Sequence, residues 1–336
     1  DFILARAEKP LDKKRREKLS IFCNIPIENI ISAPDTDSVY EVPLNFEKEE
    51  LGNKILQKFN LNSRRDDLRD WEQLVKKIKS IKKQVKIAVV GKYFATGDFV
   101  LSDSYISVIE AVKHASWANN VNPNLTWVDS KKIEDNPNQV KILNNYDGII
   151  VPGGFGSRGV EGIIEAIKYA RVNQIPFLGL CYGMQLAVIE FARNVASFKD
   201  ANSTEINPKT KYPVIDLMEE QKEKLKEKKY GGTMRLGAYK CRLQQKTHAY
   251  KAYNNSLIFE RHRHRYEFNN KYKNDLENKG MVFSGINPEM DLVEIIELKK
   301  SNHPFFVATQ FHPEFKSRPL KPHPLFRDFI KSAIKK

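Results

Sequence analysis

Short, continuously apolar runs alternate with stretches of helical spacing through the middle of this chain, and that alternation narrows the possible folds most. The runs include Lys86-Ile87-Ala88-Val89-Val90-Gly91, Leu125-Thr126-Trp127-Val128, Ile149-Ile150-Val151 and Phe177-Leu178-Gly179-Leu180. A strand buried on both faces loses the in-out alternation of a half-exposed one and reads as an unbroken apolar segment. The spacing predicts helices over 104–117, 162–172 and directly after Cys181. Strand, helix, strand in succession calls for an α/β fold with a mostly parallel central sheet flanked by helices. The later half carries denser strand signals, over 237–243, 282–285, 292–298 and 306–311, suited to antiparallel strands that hold the far end of the site.

The rest of the chain divides around that core. Residues 1–60 contain a strand, a helix over 12–22, a short strand near Ile30 and a helix over 49–59, too little to fold alone. A polar linker follows over 61–84, with a helix over 66–81. Its apolar marks Leu68, Trp71, Leu74, Val75 and Ile78 form a stripe expected to pack against a neighbouring domain. Residues 85–336 form the large α/β part. The Glu/Lys block over 219–229 reads as a flexible surface loop. The chain opens at Asp1 inside an apolar run, which suggests a piece of something longer. No repeat or heptad pattern is visible.

Composition removes some classes. Cys23, Cys181 and Cys241 have neither the number nor the spacing of a disulfide framework or a zinc site, which suits a reducing cytoplasmic setting. No apolar stretch is long enough to span a bilayer and no signal peptide is seen. The net charge of +14 raises nucleic-acid binding. However, much of the lysine lies in solvated runs such as Lys13-Lys14-Arg15-Arg16. Anionic nucleotide substrates use some of that charge better, so neither nucleic acid nor membrane is expected as a partner.

Three segments carry chemistry. Cys181 sits in Gly179-Leu180-Cys181-Tyr182-Gly183-Met184-Gln185, between an apolar strand and a helix, where a sharp turn exposes a nucleophile. The helix N-terminus behind it favours thiolate over thiol. A buried core cysteine is the plainer reading. Downstream, a buried strand runs into Gln310-Phe311-His312-Pro313-Glu314. In extended backbone His312 and Glu314 share a face, so the carboxylate fixes the imidazole and supports its cation. A surface His beside a Glu is the alternative. Third, Val151-Pro152-Gly153-Gly154-Phe155-Gly156 is a strand ending in a glycine-rich turn able to offer N–H groups to an oxyanion. It lacks the Lys-Ser/Thr of a Walker A loop, and a G-x-G-x-x-G match over 154–159 is too weak to claim a dinucleotide site.

Taken together, Pro-Gly-Gly-Phe-Gly, Gly-Leu-Cys-Tyr-Gly-Met-Gln and Gln-Phe-His-Pro-Glu-Phe resemble the class I (triad) glutamine amidotransferases. Further stretches resemble the CTP synthase family within them: Ala201-Asn202-Ser203-Thr204-Glu205, Gly231-Gly232-Thr233-Met234-Arg235-Leu236-Gly237, Glu260-Arg261-His262-Arg263-His264-Arg265-Tyr266-Glu267, and near the N-terminus Arg6-Ala7-Glu8 and Phe22-Cys23-Asn24-Ile25-Pro26. The resemblance implies a glutaminase with Cys181 as nucleophile, His312 as base and Glu314 as its support. It implies glutamine contacts at Gly154, Tyr182, Gly183, Met184, Gln185, Glu205 and Arg265. It makes residues 1–60 the tail of a synthetase domain whose remainder is missing, with Lys18 and Pro34-Asp35-Thr36 near nucleotide.

It further implies Mg-ATP and UTP as substrates of the full enzyme, GTP as allosteric activator, no cofactor or metal held by the glutaminase part, and a homotetramer at full length. Two departures stand out: Pro34-Asp35-Thr36 replaces the Lys-Asp-Val familiar in bacterial members, and Tyr182 replaces the common Leu after the cysteine. The segment from Gly91 to Ser104, longer than in bacterial relatives, is assigned to the GTP response without naming residues. Arg265 and its neighbours also read as a plain basic patch, and His262 and His264 as structural or domain-interface groups rather than catalytic ones. Another class I amidotransferase, a stand-alone γ-glutamyl hydrolase and a non-catalytic assembly module remain as alternative readings.

Overall fold

The computed structural model describes residues 1–63, 67–92, 105–217 and 234–335. The Glu/Lys block over 219–229 and most of the segment assigned to the GTP response lie outside the described residues. Two compact units are present, Asp1–Ser80 and Ile81–Lys336.

In the first unit, β1 (Ile3–Ala7) pairs in parallel with β2 (Ile30–Pro34). Between them lies α1 (Lys13–Cys23), capped by Asp12, whose carboxylate accepts from the Arg15 N–H. The expected helix over 49–59 is α3 (Leu51–Lys58); a further helix, α2 (Val42–Lys48), precedes it and is separated from it at Glu50 with φ +55. The linker helix is α4 (Arg69–Ser80). Of its apolar stripe, Trp71 has its partner inside this unit. Leu74 and Val75 are buried, and the Trp71 ring stacks on Tyr40 at 5.9 Å while its indole N–H donates to the Tyr40 carbonyl.

The second unit is built on a nine-stranded sheet. Its strands are β3 (Gln84–Gly91), β4 (Asn122–Asp129), β5 (Gly148–Val151), β6 (Phe177–Leu180), β9 (Arg235–Leu243), β10 (Leu257–His264), β12 (Met281–Ile286), β13 (Val293–Leu298) and β14 (Phe306–Thr309). A separate small sheet holds β7 (Ala201–Ser203), β8 (Tyr212–Leu217) and β11 (Tyr266–Phe268). The order is β10-β9-β12-β13-β14-β6-β5-β3-β4, with β14, β6, β5, β3 and β4 parallel and the other four antiparallel. The parallel half comes from the apolar runs and the antiparallel half from the denser strand signals, as their patterns require.

Helices α5 (Ile106–Ala118), α6 (Ser130–Asp135), α7 (Val160–Val172), α8 (Tyr182–Asn194) and a C-terminal helix over Pro324–Ala333 cover the sheet. One core gathers α7, α8 and β5; the other gathers α5, the Pro324–Ala333 helix and the opposite sheet face. Two side-chain-free positions set how tightly these layers approach. A Cβ on Gly162 of α7 would lie 1.9 Å from the Ser130 carbonyl oxygen, and one on Gly183 of α8 would lie 2.3 Å from that of Val151. Among the described residues no helix is long and apolar enough to cross a membrane.

Candidate active site

Strand register brings the three chemical segments together. β5, β6 and β14 are adjacent and parallel, with Val151 opposite Gly179 and Leu180 opposite Thr309. Their carboxyl ends therefore release Gly153, Cys181 and His312 at one edge of the sheet, where open α/β sheets place their sites.

At the end of β6 the chain turns on Cys181 itself, with φ +50 and ψ −97. A non-glycine residue held there stores on the order of 1–3 kcal/mol of backbone strain. Gly179 and Gly183 make room for protein rather than for substrate. A Cβ on Gly179 would lie 2.8 Å from Ala308 Cβ and 2.9 Å from the Gly183 carbonyl carbon, so the glycines let α8 sit against β5 and β14. The Cys181 N–H donates to the Thr309 carbonyl at 2.6 Å, and its own carbonyl accepts from Met184 and Gln185. Cys181 is thus the N-cap of α8, with the positive end of the helix at the thiol.

His312 and Glu314 meet, although not through extended backbone. His312 (φ −108, ψ 83) precedes a single 3-10 turn over Pro313–Lys316, and that turn swings Glu314 back to the ring. His312 Nδ1 and Glu314 Oε1 are 2.8 Å apart, and both side chains are buried. The His312 N–H donates to the Arg261 carbonyl, which ties the turn to β10. A Cβ on Gly153 would lie 2.9 Å from His312 Cε1 and 3.8 Å from Cys181 Cβ, so imidazole and thiol flank the same glycine. Burial disfavours the charged ring, but the Cys181 sulfur and the hydrogen-bonded Glu314 carboxylate outweigh it and hold the imidazole up at about 10. An imidazolium facing the sulfur stabilises thiolate.

These groups open into a cavity of about 710 Å³ whose walls include Gly153, Gly154, Cys181, Glu205, Arg265 and His312. Glu205 Oε1 accepts from the Gly156 N–H at 2.9 Å. Gln185 also reaches the cavity, with its amide donating to the Tyr266 carbonyl and to Gln310 Oε1. Met184 packs in the apolar core and Gly183 lies beneath β5; neither side of that pair lines the cavity. Tyr182 is buried beneath the glycine-rich turn, its ring 3.5 Å from where a Gly154 Cβ would stand. Lys18 lies on the exposed face of α1. Pro34 ends β2, Asp35 pairs with Arg6 at 3.0 Å and Thr36 Oγ1 donates to the Ser38 carbonyl; all four residues belong to the first unit.

The basic block resolves by strand alternation. β10 exposes Arg261 and Arg263 and buries His262 and His264. The two rings share a 2.8 Å hydrogen bond; burial with Arg235 nearby drives His262 down to about 2, and burial beside His262 and Arg235 holds His264 well below its usual range, so both are neutral. Behind them Arg235 bridges Glu267 at 3.0 Å and Glu294 at 2.9 Å, all three buried. Burial pushes Glu267 up to about 8 despite the guanidinium.

Sequence reasoning passed over this triad and also Gln310, whose amide lies 3.7 Å from the Cys181 sulfur. Its position two residues before His312 on a strand end was the available signal. Lys92 was missed too. It is buried, with a pKa lowered to about 8 by that burial against the pull of Glu205 and Glu134. Among the described residues no cluster of three His, Cys, Asp or Glu is placed to hold a metal ion.

Comparisons with known proteins fit this geometry. Residues 100–332 match the family model for glutamine amidotransferase class-I, and residues 1–61 match that for the CTP synthase N-terminus. A CTP synthase of Caldanaerobacter subterraneus is 53% identical over 99% of this chain and 60% of its own length; one of Carboxydothermus hydrogenoformans is 52% identical over 100% and 61%. The chain thus spans about 60% of the length of these curated relatives. Among solved structures, the glutaminase domain of a Trypanosoma brucei CTPS with bound acivicin is similar at 38% identity and a TM-score of 0.69, covering 75% of this chain and 94% of that one.

Proposed function

The chain belongs to the class-I glutamine amidotransferases and, within them, to the CTP synthase family, and on that premise we propose that it hydrolyses glutamine at Cys181 and supplies the ammonia for ATP-dependent amination of UTP to CTP. The observation that carries the glutaminase reading is the buried His312–Glu314 pair facing Cys181 across Gly153. The match of residues 1–61 favours this family over another class-I amidotransferase or a stand-alone hydrolase.

Glutamine enters the cavity with its side-chain amide beside the sulfur. Its ammonium is met by Glu205 and its carboxylate or carbonyl oxygen by Arg265, charge-assisted contacts that fix one orientation. The Cys181 thiolate attacks the amide carbon, forming a C–S bond and a tetrahedral oxyanion. Backbone N–H groups near Gly154 and Tyr182 receive that oxyanion. The His312 imidazolium, held by Glu314, gives its proton to the departing nitrogen as the C–N bond breaks. Neutral His312 then takes a proton from water, which attacks the γ-glutamyl thioester and releases glutamate and thiolate. Lys18 and Pro34-Asp35-Thr36 are assigned to nucleotide contact in the synthetase part. Mg-ATP and UTP are substrates of that half-reaction, GTP is the activator of the glutaminase, and the full-length enzyme is a cytoplasmic homotetramer.

Amide-¹⁵N glutamine tests the reading. The chain should release one glutamate per ammonia, and Cys181→Ala should release neither. Joined to the synthetase portion of a relative, with ATP and UTP present, it should place ¹⁵N in CTP. Cys181-dependent glutamate release with no labelled CTP would separate a glutaminase of another kind from this one.

A further inference from the structure

The side chain that follows the nucleophile has a partner on the glycine-rich turn. The Tyr182 hydroxyl donates to the Gly156 carbonyl at 2.5 Å and accepts from Lys92 Nζ at 3.1 Å. Lys92 Nζ also donates to the Phe155 carbonyl at 3.0 Å and to the same Gly156 carbonyl at 2.5 Å. An ammonium has three N–H donors, and these three acceptors use them all. The ammonium further lies 4.4 Å from the Tyr182 ring centroid, in cation–π range. The ring itself packs under Gly154. On its other side the turn is held by Glu205, which takes the Gly156 N–H. That N–H is therefore committed, and an oxyanion must draw on donors earlier in the turn.

Resting on the glutaminase reading above, we propose that Lys92 and Tyr182 are positioning residues: together they clamp the carbonyls of Phe155 and Gly156 so that the N–H groups of the turn face the oxyanion formed at Cys181. The clamped carbonyls share their peptide planes with the N–H groups of Gly156, which Glu205 takes, and of Ser157. With that end of the turn pinned, the preceding planes, which carry the Gly154 and Phe155 N–H groups, are held through the chain. Neither side chain touches substrate in this account, and both side chains act through the turn. A leucine after the cysteine would supply apolar packing but no hydroxyl, so the tyrosine gives this chain a second anchor on Gly156.

Oxyanion stabilisation and thiol reactivity are separable, and the test uses that. Alkylation of Cys181 by iodoacetamide forms no oxyanion, whereas amide hydrolysis does. Tyr182→Phe keeps the ring and should lower kcat for glutamine hydrolysis by about tenfold; Lys92→Met should lower it by about 10²-fold, the scale for a displaced or lost oxyanion donor. In both variants KM should stay within about twofold, and Cys181 alkylation should keep the wild-type rate because the thiolate is untouched. Tyr182→Phe guards against a folding failure in the lysine variant. Unchanged kcat in Tyr182→Phe and Lys92→Met, or equal losses of kcat and alkylation rate, would overturn the inference while leaving the glutaminase reading standing. Wild-type protein with no Cys181-dependent hydrolysis would overturn both.

Discussion

Replacing Glu314 by Gln keeps the shape of the side chain and removes its charge. The carboxylate lies 2.8 Å from His312 Nδ1, and the two side chains are 5% and 10% exposed, so solvent and salt screen the pair weakly. Burial pushes the His312 ring down, and Cys181 and Glu314 push it up to about 10. A hydrogen bond to a charged group contributes roughly 1.5–3 kcal/mol, which at 1.36 kcal/mol per unit is about one to two pH units. Glu314→Gln should therefore move the alkaline limb of kcat/KM for glutamine downward by about one to two pH units. Cys181 alkylation, read by peptide mass spectrometry, is the control and should show no matching fall, because loss of the His312 proton removes the acid for the leaving nitrogen and not the nucleophile. Peptide resolution separates Cys181 from exposed Cys23 and buried Cys241.

The same pKa has a stability sign. A histidine raised on folding contributes stability that is complete below its unfolded value near 6.5 and lost as pH rises through about 10. Wild-type Tm should fall between pH 7 and 10, and by less in Glu314→Gln. An alkaline limb that stays put, or moves upward, refutes the reasoning.

Other outcomes follow from the same contacts. Arg235→Met leaves Glu267 and Glu294 buried without their cation and should cost about 3–5 kcal/mol. Without the guanidinium, burial favours the protonated carboxyls in the fold, and the unfolded chain releases those protons, so the Tm deficit should be larger at pH 8 than at pH 5. Gly183→Ala forces a Cβ to 2.3 Å from the Val151 carbonyl oxygen, backbone against backbone. It should destabilise by about 1–3 kcal/mol and lower kcat, because the strain shifts α8 beneath Cys181. Glu205→Gln should raise KM for glutamine about 10- to 100-fold with little change in Tm, as expected for a lost charge-assisted contact.

How much of this was legible depended on whether burial or charge dominated a segment. β3, β5, β6 and β14 were readable because strands covered on both faces become apolar runs. β10 was not. Arg261-His262-Arg263-His264 reads as a charged patch until strand alternation buries the histidines against Arg235, Glu267 and Glu294, groups from β9, β11 and β13 that only the fold brings near. The nearness of His312 to Glu314 was expected from extended spacing, yet a 3-10 turn produces it, since Pro313 starts a helical turn as readily as it continues a strand. The Lys92–Tyr182 contact spans 90 positions, and no local pattern announces a pairing of that length. The linker helix showed its stripe clearly, but only coordinates reveal Tyr40 as the partner of Trp71.

The most direct measurement is to quench the chain during turnover with glutamine and weigh its cysteine peptides. A γ-glutamyl thioester should be found on the Cys181 peptide alone, decaying as glutamate appears, with Cys181→Ala showing neither adduct nor glutamate. Steady glutamate release by that variant, or acylation at another residue, would contradict a nucleophile at the end of β6.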